Sequence, residues 1–308
     1  MSFVLDAFGV FLENISLPES QLAAAQRSNA ALREFLNRDA YFGSLTLDTF
    51  LNGSYARRTG IRPIKDVDII VVVDAAWIQD DPSRAMEALR RKLAQRYPDW
   101  RTRRQRRAVK VTLSDIDLDV VLAVAPNGLD QSLRIPDREL RRWIETDPKR
   151  QLKLTGILGA RTGGNYPRLV RLFKSWARAR VAALDRPSSF VLECAVYHVL
   201  AAQPGQFSGE IDAAFETMME RLLVWAWGRG RNLLPWGAPI VSDPALPDSN
   251  VAKRWTSEGA NRVRGKIEHT LRTLERVHKS RYDDTEVRHW RNVFGYPFPA
   301  PSTVERHH

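Results

Sequence analysis

The apolar run Val67-Asp68-Ile69-Ile70-Val71-Val72-Val73 constrains the fold more than any other part of this chain. Its β-branched content favours an extended backbone, and its hydrophobicity predicts a buried strand. Asp66 and Asp68 stand at the head of that strand. Residues two apart in a strand point to the same face, so two carboxylates converge where it begins. A later segment repeats the pattern, with Asp115, Asp117 and Asp119 alternating and running straight into Val120-Val121-Leu122. If the two strands are neighbours, a third carboxylate joins the first pair. Three like charges held this close repel one another, and a bound divalent cation relieves the repulsion. Oxygen-only ligands favour magnesium, with manganese also admissible. Two such ions, about 3.5–4 Å apart, can activate an attacking hydroxyl and neutralise a leaving pyrophosphate in an in-line displacement at phosphorus.

The surrounding pattern mixes helix and strand. Glu19 to Asp39 reads as a long amphipathic spine helix, entered through Ser16 and Pro18. Thr49-Phe50-Leu51 reads as a strand leading into Asn52-Gly53-Ser54. There Gly53 lets the backbone turn sharply and present amides to a phosphate, and Ser54 adds a hydroxyl donor. Taken alone, Gly-Ser is an ordinary turn and Asp-x-Asp a solvated strand end; their order and strand context make the arrangement specific. A helix over Ser83 to Arg96 and strands over Ala108 to Leu113 and Ile116 to Val124 complete this half. From Pro136 onward the spacing predicts helices over Asp137 to Thr146, Asn165 to Ala183, Ser188 to Ala202 and Asp212 to Gly228, with Trp176, Trp225 and Trp227 as core aromatics. An irregular Pro- and Gly-rich segment, Trp236 to Asn250, precedes helices over Val251 to Lys279 and Asp284 to Val293. The expected fold is α+β and two-lobed: a mixed-sheet lobe with the spine helix over 1–135, then a helical nucleotide-binding lobe over 136–308. The cleft between them is the default site.

At 308 residues, 44% of them hydrophobic, the chain can bury the core of one large domain or of two joined lobes. Its net charge of +11 attracts phosphate polyanions, triphosphates and nucleic acid alike. The basic residues cluster in one run, Arg101, Arg103, Arg104, Arg106, Arg107 and Lys110, and in another, Arg168, Arg171, Lys174, Arg178 and Arg180. Such runs read as a solvated face, and the first of them, Arg101 to Lys110, also leaves RNA open as a partner. The apolar stretch from Asp68 to Ile78 falls far short of the roughly 20 residues of a membrane span. Acidic Asp6 and Glu13, with no basic segment ahead of them, do not read as a secretory signal, so a cytoplasmic location is expected. A lone Cys194 excludes an intramolecular disulfide and a thiolate zinc cluster. His198, among Cys194, Val199 and Leu200, reads as a packed core residue. His269, His278 and His289 read as solvated, and His307 and His308 are native or a tag remnant.

The motif Gly53-Ser54-Tyr55-Ala56-Arg57-Arg58-Thr59 followed by Asp66-Val67-Asp68-Ile69-Ile70-Val71 resembles the phosphate loop and metal pair of the nucleotidyltransferase superfamily that includes DNA polymerase beta. More narrowly, the chain resembles the cyclic GMP-AMP synthase and oligoadenylate synthase branch, and within it the bacterial cGAS/DncV-like nucleotidyltransferases (CD-NTases) that make dinucleotide or oligonucleotide second messengers. Asp119-Val120-Val121 looks like the third acid. Leu169 to Trp176 resembles the helix whose lysine meets triphosphate, and Ser189-Phe190-Val191-Leu192-Glu193 the next helix, whose serine binds phosphate. Asp243-Pro244, Asn250-Val251 and Trp290 to Gly295 extend the likeness across nearly the whole chain. The resemblance implies that Asp66 and Asp68 bind two magnesium ions and that Asp119 completes the ion nearer the attacking hydroxyl. It also implies that Gly53 and Ser54 hold the donor β- and γ-phosphates, with Lys174 and Ser189 on the triphosphate from the helical side. Where many relatives carry proline after the third acid's apolar run this chain has Leu122, which keeps Asp117 in reserve as third acid. Asn165 can read a base edge through its amide or serve as an N-cap.

The expected activity is template-independent synthesis of a cyclic di- or trinucleotide second messenger from nucleoside triphosphates, in bacterial anti-phage signalling, by a monomeric enzyme whose product acts on a downstream effector. Two alternatives use the same residues or charge: nucleotidyl transfer to an RNA end such as that of tRNA, and an RNA-binding module with little catalysis. A zinc-thumb DNA sensor is excluded by the single cysteine.

Overall fold

The computed structural model describes residues 3–63, 66–75, 81–113, 117–227, 239–277 and 283–304. Asp115, Trp236, His278, His307, His308 and the side chain of Trp227, all singled out in the sequence, lie outside the described residues. The chain divides into two compact units, Leu17–Leu152 and Met1–Ser16 with Lys153–His308. Helix α1 (Phe3–Ile15) belongs to the second.

The first unit is built on a seven-stranded mixed sheet. In chain order it contains α2 (Glu19–Asn37), β1 (Thr46–Asn52), the single turn α3 (Gly53–Ala56), β2 (Asp66–Asp74), α4 (Pro82–Arg96), β3 (Arg101–Arg104), β4 (Val109–Thr112), β5 (Asp117–Ala125), β6 (Leu133–Asp137) and β7 (Arg142–Thr146). The strand order is β1-β2-β5-β4-β3, with β6 pairing β5 and β7. The β2 and β5 strands run parallel; the remaining pairs are antiparallel.

Alternation along β2 and β5 separates two faces. Val67, Ile69, Val71 and Val73 join Leu118, Val120, Leu122 and Val124 in one core, covered by Ala25, Leu32 and Leu36 of α2 and Ala85, Leu89 and Leu93 of α4. Ile70, Val72, Ala123 and Ala125 point the other way and pack with Leu133. Asp66, Asp68, Asp117 and Asp119 fall on this second face by the same alternation. Asp81 starts α4, its Oδ1 accepting from the Ser83 amide at 2.8 Å with Pro82 in the first turn.

The helix expected over Asp137 to Thr146 is instead the end of β6, a turn and β7. Asp137 Oδ1 accepts from the amides of Glu139 and Leu140, both at 3.1 Å, and so fixes the reversal. Trp143, Ile144 and Thr146 suit the extended partner strand that follows. The sheet unit therefore continues to Leu152 rather than stopping at 135, and the division falls inside α5 (Pro148–Arg161).

The second unit is helical. It contains α1, the rest of α5, α6 (Asn165–Arg180), α7 (Ser189–Ala202), α8 (Ile211–Trp227), α9 (Ser257–Val277) and α10 (Asp283–Phe294). Phe8 and Phe11 of α1 pack on Trp290, Phe294 and Phe298, and Phe215 of α8 closes the same aromatic core. Trp176 is fully buried, its indole donating to Thr270 Oγ1 at 2.9 Å, while Trp225 is only partly buried. The α9 helix starts at Ser257 rather than Val251 because Thr256 Oγ1 accepts from the Gly259 amide at 3.0 Å and caps it. Among the described residues no helix is long and apolar enough to cross a membrane.

Candidate active site

Strand register places the acids. Asp66 pairs with Asp117 and Asp68 with Asp119 across the parallel β2–β5 ladder. On the outer side of β2, Asn52 opposes Asp68, and on the outer side of β5, Lys110 opposes Asp119. Arg103 of β3 opposes Lys110 in turn. Directly paired residues share a face, so one rank crosses five strands in the order Asn52, Asp68, Asp119, Lys110, Arg103. Asp66 and Asp117 form the neighbouring rank. The third carboxylate thus joins the first two, as the alternation predicts. Leu122, the departure noted above, faces the helix-covered core and continues the ladder opposite Val71, so it leaves Asp119 undisturbed.

Gly53 meets this rank from the turn after β1. Its φ of +68° is a conformation that side chains with a Cβ rarely adopt, and a Cβ added there would collide with the Asp68 carboxylate. Glycine is required at this position by both backbone and neighbour. Ser54 follows in α3 and is half-buried. Tyr55 is buried, and desolvation together with the nearby Asp66 charge raises its hydroxyl pKa.

The acids are electrostatically uneven. The Asp119 carboxyl is raised to about 6, chiefly by desolvation and with Asp66 and Asp68 adding to it, against the opposing pull of Lys110. Desolvation also raises Asp68, against the charge of Arg57. Lys110 is buried among them. Its Nζ contacts Asp66 Oδ1 and lies 3.2 Å from Asp117 Oδ2 and 3.6 Å from Asp119 Oδ1. Desolvation alone would lower the lysine pKa, but these carboxylates outweigh it and the net shift is upward. The sequence placed Lys110 in a basic run, and only the β4–β5 register reveals it as part of the site.

The donor set fits a divalent cation. Asp66, Asp68 and Asp119 offer hard anionic oxygens, and the buried Oδ1 atoms of Asp119 and Asn52 accept no hydrogen bond. The Lys110 ammonium stands in for positive charge at the same oxygens. With Lys110 between the acids and the Asp68 carboxylate set against Gly53, no three acidic, histidine or cysteine side chains among the described residues form a ready-made metal group.

In the helical unit, Lys174 of α6 is buried and paired with Glu193 of α7 at 3.1 Å, rather than solvated. Ser189 is exposed in the first turn of α7, where helix amides favour an anion. Asn165 is neither the N-cap, which is Gly164, nor open to a base. Its amide nitrogen donates to the carbonyls of Phe207 and Gly209 at 2.9 and 2.8 Å, and its oxygen accepts from Arg168. His198 stacks on Trp225 and its Nε2 donates to the Ser242 carbonyl at 2.8 Å, a structural role. Asn250 clamps its own loop through Val241, Ala252 and Pro239.

The basic runs are partly internal. Arg106 and Arg107 bind the buried Asp137 carboxylate, and Arg104 pairs with Glu87. Arg171 donates to Ser16 and Arg180 to the Val293 carbonyl. Arg101 and Arg103 remain exposed.

Residues 1–155 match the family model of the Second Messenger Oligonucleotide or Dinucleotide Synthetase domain. The chain belongs to this family. It is a nucleotidyltransferase of the CD-NTase group. A similar curated relative of this synthetase is the cyclic AMP-AMP-AMP synthase of Acinetobacter sp., 29% identical over 281 residues that span 88% of this chain and 78% of the relative. The cyclic AMP-AMP-GMP synthase of Enterobacter hormaechei is 25% identical over 357 residues, 96% of this chain and 91% of that one. Among solved structures, E. coli MS115-1 CdnC with ATP has the same fold, with a TM-score of 0.79 at 19% identity over 97% of this chain and 99% of that chain. The apo form of Vibrio cholerae DncV follows with a TM-score of 0.64 at 18% identity, covering 98% of this chain and 82% of that one.

Proposed function

We propose that this synthetase joins nucleoside triphosphates into a cyclic trinucleotide or dinucleotide, by attack of a ribose hydroxyl of one nucleotide on the α-phosphorus of another with loss of pyrophosphate. The observation that carries the reading is the parallel β2–β5 register, which sets Asp68 beside Asp119 with Asp66 in the next rank. Relatives named for cyclic AMP-AMP-AMP and cyclic AMP-AMP-GMP favour a three-base ring containing adenine. In a bacterial cell the ring would signal to a downstream effector in defence against phage.

Asp66, Asp68 and Asp119 would hold two magnesium ions, manganese substituting. When bound, such ions supply Lewis acidity to the attacking hydroxyl and charge neutralisation to the leaving pyrophosphate. The remaining work belongs to the chain. Gly53 and Ser54 receive the donor β- and γ-phosphates through backbone amides and a hydroxyl, and the left-handed Gly53 backbone keeps space for Asp68. Lys174, oriented by Glu193, and Ser189, at a helix N-terminus, bind triphosphate oxygens in the helical unit. Catalysis is positioning plus charge stabilisation, and no side chain forms a covalent bond to substrate.

The test is incubation of the purified protein with magnesium and each labelled triphosphate, alone and mixed, followed by phosphatase treatment and mass spectrometry. A phosphatase-resistant product lacking free ends is expected, and Asp66→Asn should abolish it. Persistence of product in that variant would overturn the assignment, and a product with a free end would remove the ring.

A further inference from the structure

Lys110 occupies a position that the acid triad alone does not explain. Its side chain is 9% exposed, and its ammonium touches three carboxylates, those of Asp66, Asp117 and Asp119. Across β4 and β5 its backbone partner is Asp119 itself. A buried ammonium and a divalent cation answer the same need, since each neutralises carboxylate oxygens that would otherwise repel one another. They cannot share those oxygens fully, so binding of one weakens the hold of the other.

Asp117 completes the device. It lies in the neighbouring rank beside Asp66, outside the triad proposed to hold metal, and still lies 3.2 Å from the ammonium. A carboxylate there keeps Lys110 in place without competing for the ion. This explains why the segment before Val120 carries Asp117 as well as Asp119, an alternation the sequence leaves open.

We propose that Lys110 is a resident counter-ion of the active site: it holds Asp66 and Asp119 when no divalent ion is bound, yields their oxygens to the ion, and is retained beside the site by Asp117. Lys110 is thus a positioning residue that sets how much metal the enzyme needs, and Asp117 is its anchor rather than a reserve ligand. The inference rests on the metal reading given above.

The experiment measures binding of Mn²⁺ alone to the full chain, without nucleotide, by the electron paramagnetic resonance signal of the free ion. Thermal melting with chelator and with Mn²⁺ runs in parallel. Lys110→Met keeps the aliphatic stem and removes the charge. It should bind Mn²⁺ about tenfold more tightly, melt earlier in chelator because the acids lose their counter-ion, and recover with Mn²⁺. Asp117→Asn should bind Mn²⁺ severalfold more weakly, and this loss should shrink in the Lys110→Met background, the coupling expected if Asp117 acts through Lys110. Equal or weaker Mn²⁺ binding by Lys110→Met overturns the proposal, as does an Asp117→Asn loss that is the same in both backgrounds. If Lys110→Met fails to fold in chelator, judged by circular dichroism, Asp117→Asn decides, and an unchanged dissociation constant there overturns the proposal. Saturable wild-type binding that ignores Lys110 removes this inference alone. Absence of saturable binding that Asp66→Asn weakens removes the metal reading and the inference with it.

Discussion

Asp68 and Gly53 are complementary in space: the carboxylate of one lies where a Cβ on the other would stand. The turn after β1 and the head of β2 are therefore fitted to each other through the one residue type that has no side chain. Gly53→Ala would have to displace Asp68 and also hold alanine at a positive φ. The expected result is a loss of about 1–2 kcal/mol in stability. Displacement of Asp68 should also cost roughly 100-fold in turnover, measured as pyrophosphate release. Near-normal turnover would show that Asp68 need not occupy that position.

Glu87 on α4 ties helix to sheet edge. Hydrogen bonds from Arg90 hold its carboxyl at about 2 despite desolvation, with further help from Arg104 of β3 and from Arg91. A carboxyl whose folded pKa is depressed stabilises the fold above its ordinary value and loses that contribution as pH falls toward the folded pKa. Glu87→Gln should therefore lower the melting temperature at pH 6, and the gap from wild type should close between about pH 4.5 and pH 2. A gap that stays constant through that window would mean Glu87 acts by shape rather than charge.

Asp137 is fully buried and receives Arg106, Arg107 and two backbone amides, which together overcome desolvation and hold its pKa well below the ordinary carboxylate range. Removing its charge leaves two arginines without their shared partner and loosens the turn between β6 and β7. Asp137→Asn should cost roughly 2–4 kcal/mol in urea denaturation, and Asp137→Ala more, because the turn amides then lose their acceptor too.

Lys174 and Glu193 form a buried pair between α6 and α7. Lys174→Met and Glu193→Gln should each destabilise by about 3 kcal/mol, while the double variant should regain part of that loss, since no single charge is left stranded. Additive losses in denaturant titrations would show that the two groups do not depend on each other.

Features governed by local pattern were legible in the sequence. The alternation of Asp66 and Asp68 into an apolar strand, the required glycine at 53 and the amphipathic α2 and α4 helices follow from spacing over a few residues, and each appears where expected. Features governed by distant partners were not. Nothing near Lys110 distinguishes it from the arginines before it; the β4–β5 register does, and register is set by the sheet as a whole. Arg171 and Arg180 look like one solvated face, yet their partners Ser16 and Val293 lie 155 and 113 residues away. Residues 138 to 142 carry adequate helix propensity, and the turn fixed by Asp137 with the pairing of β7 on β6 overrode it.

Among the described residues, the short strand Arg101–Arg104 has a neighbour on one side only. An open strand edge is a template on which a second chain can add by backbone hydrogen bonding, and length and apolar character make it worse. This edge has four residues, three of them arginine. Two copies brought edge to edge would set guanidinium against guanidinium. The arginines of this segment therefore disfavour the addition of another copy at this edge, and neutralising Arg101 and Arg103 would be expected to show first as aggregation during expression.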